Sequence, residues 1–226
     1  FIISILMQLF PAILSKEQNE MHSFISQYAD KFYLVWGTAI ALQLGHRQSI
    51  DYDLFIPNSE YLPKMYLNKK WENMNFSCIH GHQDSYQQHY VINRVKTTFF
   101  AYTYDIPRAS VIHDWILPMP NLYHLAAMKI HAIGQRNKWK DYVDIAFIIK
   151  KYGIVPVAEY AKEFFHWNIS LKMFAQQLCY FDDIDYDDVV VYMPWYERSE
   201  EWIKTYLMEQ STILFDSISE YSQTLE

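Results

Sequence analysis

Leu34 to Phe55 reads LVWGTAIALQLGHRQSIDYDLF, and the order of its signals constrains the fold more than any other stretch. The run from Lys31 to Trp36 is aromatic and β-branched, which predicts a strand. Gly37 and Thr38 follow. Ala and Leu then recur at helical spacing up to Gly45, a residue type that closes helices in the left-handed conformation. Ser49 to Ile56 alternates and predicts a second strand, ended by Pro57 and Asn58. Residues two apart on a strand share a face, so Asp51 and Asp53 project together while Tyr52 and Leu54 face the other way. Two bare carboxylates about 7 Å apart by strand rise repel one another. A divalent cation between them removes that cost, and Mg²⁺ takes one or two carboxylates plus substrate phosphates. Gly37 is suited to the sharp turn out of the first strand. Thr38 then opens a helix whose free N–H groups and dipole favour a phosphate. Phosphate and metal sites on adjacent elements are the arrangement of phosphoryl and nucleotidyl transfer. Taken alone, each feature also reads as an ordinary turn or a solvated edge strand.

Around this unit the first half alternates helices and strands. Ser15 to Tyr28 reads as one helix with Ser15 as N-cap and Gln18 three residues on. Ser59 to Lys70 reads as helical. Residues 75–82 and 89–102 read as a hairpin pair around GHQDSYQQ, and 109–120 as a further short strand. After about residue 120 the pattern becomes helical. Asn121 caps a segment running to Arg136, Lys140 to Tyr152 ends at Gly153, and Val157 to Phe165 and Ser170 to Cys179 follow. Glu197 to Ser217 reads as a last helix with an interruption. No linker composition marks the change near residue 120.

Composition narrows the functional classes. A formal net charge of −7 over 226 residues argues against a generally basic nucleic-acid binder. Two cysteines, Cys78 and Cys179, give no disulfide framework, which makes a reducing cytoplasm the default. The first ten residues are apolar but broken by Pro11, too short for a membrane span and without signal-peptide features. The chain starts at Phe, so Met7 is a candidate start. Cys78, His80 and His82 alternate on one predicted strand with His89 across the turn. These are zinc-type ligands, but the spacing fits no common zinc motif, and they read as polar hairpin residues.

A second cluster lies in MKIHAIGQRNKWKDYVDIAFIIKKYG. On a helix Lys129, Ile133 and Arg136 fall on one side, and Asp141 and Asp144 share a face of the next. A lysine there can neutralise triphosphate charge. Lys138, Lys140, Lys150 and Lys151 with Arg136 form the densest basic patch for an RNA partner.

Together these stretches resemble the AbiEii/AbiGii abortive-infection toxin family of the nucleotidyltransferase superfamily. The matching positions are Gly37, Thr38 and Ala39; His46, Arg47, Ser49, Asp51 and Asp53; Met128, Lys129, Ala132 and Arg136; and Lys140, Asp141 and Asp144. The resemblance covers roughly residues 20 to 205. It implies an α+β fold, a mixed β-sheet flanked by helices, with residues 1–120 as the nucleotidyltransferase core and 121–226 as a helical part completing the active site. It also implies transfer of a nucleotide from an NTP to an RNA acceptor such as tRNA, with Mg²⁺ or Mn²⁺ as cofactor and a cognate antitoxin encoded nearby. By position, Asp51 and Asp53 would ligate the metal. Gly37, Thr38, Arg47, Ser49 and Arg136 would serve nucleotide binding, Lys129 would neutralise the triphosphate, and Asp144 with Asp141 would supply a late carboxylate. Two departures stand out. Trp36 replaces the first glycine of a usual Gly-Gly pair, and the central strand carries Thr97 and Thr98 where many superfamily members have a third acid. They leave open a catalytically impaired binding protein of the same fold. A small-molecule nucleotidyltransferase, of the kind that adenylylates an aminoglycoside, is a further alternative that the acidic chain suits.

Overall fold

The computed structural model describes residues 8–71, 75–133, 135–166 and 168–223. Met7 and most of the apolar leader lie outside the described residues. The chain divides into two compact units, Phe1–Asn121 and Leu122–Glu226.

The first unit is built on a mixed five-stranded sheet. Ser15 caps α1 (Lys16–Glu20) with a reciprocal capping box to Gln18, which satisfies two otherwise orphaned N–H groups. The predicted long helix does not continue. After α1 come α2 (His22–Ile25) and a 3₁₀ turn at Ser26–Tyr28. The Gln18 carbonyl accepts from the Tyr52 hydroxyl at 3.3 Å and from the Met21 N–H, a bond that tightens the turn. The first strand shrinks to β1 (Tyr33–Leu34), because α3 (Trp36–Leu44) already begins at the tryptophan. Gly45 closes α3 in the left-handed region at φ +69°, as its residue type predicts. A Cβ there would also lie 2.6 Å from the Phe10 ring.

β2 (Tyr52–Ile56) lies between β1, antiparallel, and a later strand, parallel. The helix after it is α4 (Lys64–Trp71), shorter than predicted and entered through Pro63. The predicted hairpin pair is a three-stranded meander of β3 (Cys78–Gln83), β4 (Gln87–Ile92) and β5 (Val95–Ala101). Its second turn is Asn93–Arg94, both left-handed at φ +48° and +67°. That is the two-residue loop whose twist matches paired strands. The sheet order is β1-β2-β5-β4-β3. Two short strands, β6 (Val111–Ile112) and β7 (Met119–Pro120), pair separately. One sheet face is core: Tyr52, Leu54, Thr97, Phe99, Gln88, Tyr90 and Ile92 are buried there, with Tyr28 and Phe32 packed on Phe99.

The second unit is helical: α5 (Leu122–Ala132), α6 (Trp139–Tyr152), α7 (Ile154–Phe164), α8 (Leu171–Gln177) and α9 (Glu200–Gln223). The periodic residues Leu122, Leu125, Ala126, Met128 and Ile133 are buried. α5 stops short of Arg136, and α9 runs without the predicted interruption. Ser170 caps α8 through the Met173 N–H, and Ser211 fastens α9 to α8 by donating to the Ala175 carbonyl at 2.6 Å. Among the described residues, no helix is long and apolar enough to cross a membrane.

Candidate active site

The loop from α3 into β2 fixes two carboxylates by their backbone. Thr38 is buried, and its hydroxyl donates to the Asp51 carbonyl while bonded to the Ser49 hydroxyl at 2.7 Å. Thr38 has one hydroxyl proton and a carbonyl can only accept, so Ser49 is the donor of that second bond. The buried Gln18 amide also donates to the Asp51 carbonyl, at 3.2 Å. The Val35 N–H donates to the Asp53 carbonyl at 3.0 Å. Tyr52 and Leu54 point into the core, so Asp51 and Asp53 emerge half-buried on the opposite face.

The turn into α3 differs from the sequence expectation. Trp36, not Gly37, takes the left-handed conformation, at φ +56°. For a bulky residue that costs on the order of 1–3 kcal/mol. A glycine at this position would meet the same backbone demand without that cost. Gly37 serves close approach instead: a Cβ there would lie 2.6 Å from Nη2 of Arg47. That guanidinium is buried and donates through Nη1 to the Gln48 carbonyl at 2.9 Å. The Trp36 indole meets Phe55 edge-on with centroids 5.8 Å apart. Phe55 shares the face of Asp53 and packs at a tilt against Phe100 and Tyr102, with ring centroids 4.2 Å and 5.0 Å away. An aromatic wall thus stands one register step from the carboxylates, and the indole is part of it.

Strand register adds residues that no motif marks. Asp53 pairs with Thr98, and Thr98 in turn with His89. Lys96 lies two residues before Thr98 on the same face and joins Asp51 and Arg94 in lining a cavity of about 330 Å³. Arg94 is bonded to Glu17 at 3.0 Å, whereas Lys96 is exposed. Nothing in the local sequence announced these neighbours, because register is set by partner strands.

The reading of Cys78, His80 and His82 as one alternating row holds for Cys78 and His80, which pair with Ile92 and Tyr90, but not for His82. The β3–β4 register shifts between His80 and Gln83, and a bulge redirects the side chains that follow it. His80 packs against Tyr90 and Trp71, whereas His82 faces His89. Among the described residues, no group of three or more His, Cys, Asp or Glu side chains is placed to hold a metal ion. Asp51 and Asp53 are both half-buried, and Asp51 lines the cavity. Their oxygen donors are of the type that suits Mg²⁺ or Mn²⁺, which fill their remaining positions with water and phosphate oxygens.

In the second unit, Lys129 and Asp141 are bonded, and Lys129 Nζ lies 2.9 Å from Asp144. All three are buried. Arg136 reaches Asp141 with Nε at 2.8 Å and Nη2 at 3.3 Å, a bidentate fork. These four side chains thus form an ion-pair network that ties α5 to α6. The lysine patch is also matched by acids: Lys138 is bonded to Asp185, and Lys140 lies 2.9 Å from Asp188.

No family profile matches the chain. It is similar to JHP933 from Helicobacter pylori, with 17% identity, a TM-score of 0.59, and coverage of 94% of this chain and 97% of that one. A candidate nucleotidyltransferase from H. pylori gives 16% identity and a TM-score of 0.60 over 91% and 96%. ANT(2")-Ia, solved in complex with adenylyl-2"-tobramycin, gives 12% and 0.51 over 67% and 98%. The chain therefore has the nucleotidyltransferase fold. In sequence it is 26% identical over 205 residues to the uncharacterized protein aq_aa25 of Aquifex aeolicus, covering 87% of this chain and 97% of that protein.

Proposed function

We propose that the chain is a metal-dependent nucleotidyltransferase that moves NMP from an NTP to an RNA 3′ end, of which tRNA is the leading case. The observation that carries it is a nucleotidyltransferase fold in which Asp53 on β2 and Asp51, just before that strand, are both half-buried, with Asp51 lining a cavity. The two carboxylates would hold Mg²⁺ or Mn²⁺, and the ion when bound supplies positive charge to the phosphate oxygens. The first N–H groups of α3, at Gly37 and Thr38, lie where they would favour a phosphate. Arg47 and Ser49 keep that turn and the Asp51 backbone in place. In the reaction the acceptor hydroxyl oxygen bonds to the α-phosphorus, the bond to the pyrophosphate oxygen breaks, and pyrophosphate leaves.

The AbiEii/AbiGii resemblance supports a toxin role and a cognate antitoxin. It also assigns Lys129 to the triphosphate and Asp144, with Asp141, to a late carboxylate; the motif positions are the support for those roles. Lys96 and Arg94 beside Asp51 favour an anionic acceptor such as RNA. The net charge of −7 and the likeness to ANT(2")-Ia favour the small-molecule alternative. Labelling total RNA with each of four radioactive NTPs, for wild type and Asp53→Ala, tests the proposal. Label from one NTP, lost in the variant, is expected. No labelled RNA beside labelled aminoglycoside would move the assignment to the second acceptor class, and nucleotide binding without any product would make this an impaired binding protein.

A further inference from the structure

One polar line crosses the half-exposed sheet face. It runs in register from Asp53 on β2 to Thr98 on β5 and His89 on β4. The Thr98 hydroxyl lies 3.4 Å from Nδ1 of His89. His82 from β3 faces His89 with ring centroids 6.1 Å apart, and its Nε2 lies 3.0 Å from Asp84. Neighbouring strands are about 4.8 Å apart, so the line begins at the proposed metal carboxylate and reaches an imidazole two strands on.

A hydroxyl attacking phosphorus must lose its proton. Carboxylates that hold a cation have their lone pairs engaged by it. Lys96 is exposed on the same face but is not in register with Asp53. Thr98 is not basic but can hand a proton on. His89 is the imidazole in register, with a nitrogen already turned to that hydroxyl.

Resting on the nucleotidyltransferase proposal above, we propose that His89 is the general base of the transfer and Thr98 its relay. The acceptor O–H gives its proton to Thr98 Oγ1 as Thr98 gives its own to His89 Nδ1. The acceptor oxygen then bonds to the α-phosphorus, and the bond to pyrophosphate breaks with its electron pair leaving on the pyrophosphate oxygen. Thr98 ends neutral and His89 ends as imidazolium, which returns its proton to the leaving group or to water.

The surroundings suit a base that is neutral at rest. Burial holds His89 below the usual imidazole range, the charge of His82 adds to that, and Asp84 opposes it. Among the described residues of β2, β4 and β5, the charged side chains that register places on this face are Asp53 and Lys96. Asp84 is anchored by the Gln87 and Tyr86 N–H groups and by His82, which pull its carboxyl down to about 2. It therefore stays ionised and holds His82 in place.

The test compares wild type, His89→Gln, Thr98→Val and Thr98→Ser in full-length protein with Mg²⁺, NTP and RNA. General-base loss is worth about 10²–10⁴-fold. His89→Gln should lower kcat by at least about 100-fold and remove the acid limb of the pH profile, which in wild type falls below the ordinary imidazole value. Thr98→Val should follow it, and Thr98→Ser should restore the rate. Calorimetry should give unchanged NTP binding in all four. A readout independent of turnover is Mn²⁺, which should broaden the His89 ring resonances in wild type and leave them sharp in Asp53→Ala. Full activity of His89→Gln, or sharp His89 signals with Mn²⁺ bound, overturns the base assignment and leaves the transferase intact. Wild type without any transfer refutes the transferase proposal, and the base assignment falls with it.

Discussion

The two units handle the same residue types in opposite ways. In the first, Asp51 and Asp53 are half-exposed, Asp51 beside a cavity, with their backbones clamped by Thr38, Gln18 and Val35. In the second, Asp141 and Asp144 are fully buried and face Lys129, with Arg136 closing the network. The difference is one of solvation. Like charges near water have room to recruit a cation, whereas buried ones must bring a counter-ion within the fold. The first pair stands where the proposal above puts the metal, at a cost in repulsion, and the second, whatever its part in the proposed site, ties α5 to α6 at a cost in desolvation.

That contrast can be broken at either end. Asp53→Ala should lower Mg²⁺-dependent transfer by about 10³-fold or more, near the scale of losing a main electrostatic group. Its melting temperature should hardly move, since surface changes stay within about 0.5 kcal/mol. Lys129→Met should do the reverse to the fold, destabilising by about 3–5 kcal/mol in urea titration because two carboxylates lose their buried partner. If instead Asp53→Ala unfolded the protein and Lys129→Met did not, the assignment of the two clusters would be exchanged. Thr38→Val removes the bond to Asp51 and leaves Ser49 unsatisfied, for about 1–3 kcal/mol by the same titration. Transfer should fall with it, through a displaced Asp51.

Smaller effects sharpen the picture. Trp36→Gly relieves a left-handed strain of about 1–2 kcal/mol and loses the packing on Phe55, so the net change in stability should be small. An unchanged NTP affinity in that variant would show that the indole only completes the aromatic wall. Asp84 offers a pH handle on the first unit. Its folded carboxyl sits at about 2, below the ordinary 3.8. Its contribution is therefore full above 3.8 and is lost as pH falls through about 2. Amide exchange in the β3–β4 turn should rise over that window in wild type and be high throughout in Asp84→Asn.

The legible parts were those with local causes. The Ser15 capping box, the Gly45 cap, the Asp51–Asp53 alternation and the buried stripe of α5 each follow from a few adjacent residues. What escaped depends on partners. Asn93–Arg94 carries no glycine, so a left-handed hairpin turn was hidden inside a continuous strand pattern. The bulge between His80 and Gln83 is visible only against β4. Thr98 becomes the neighbour of Asp53, and His89 that of Thr98, through register alone. The positive φ at Trp36 runs against residue preference, and a glycine next door drew the expectation to Gly37. The early end of α1 is a tertiary effect, since the Tyr52 hydroxyl sits on the Gln18 carbonyl.

The most direct measurement is Mg²⁺-dependent pyrophosphate release from NTP in the presence of total RNA, for wild type and Asp53→Ala matched in melting temperature. The account predicts release that parallels labelled RNA in wild type and falls by about 10³-fold in the variant. Equal release by the two proteins would contradict it, because Asp53 on β2 would then not be where the chemistry occurs.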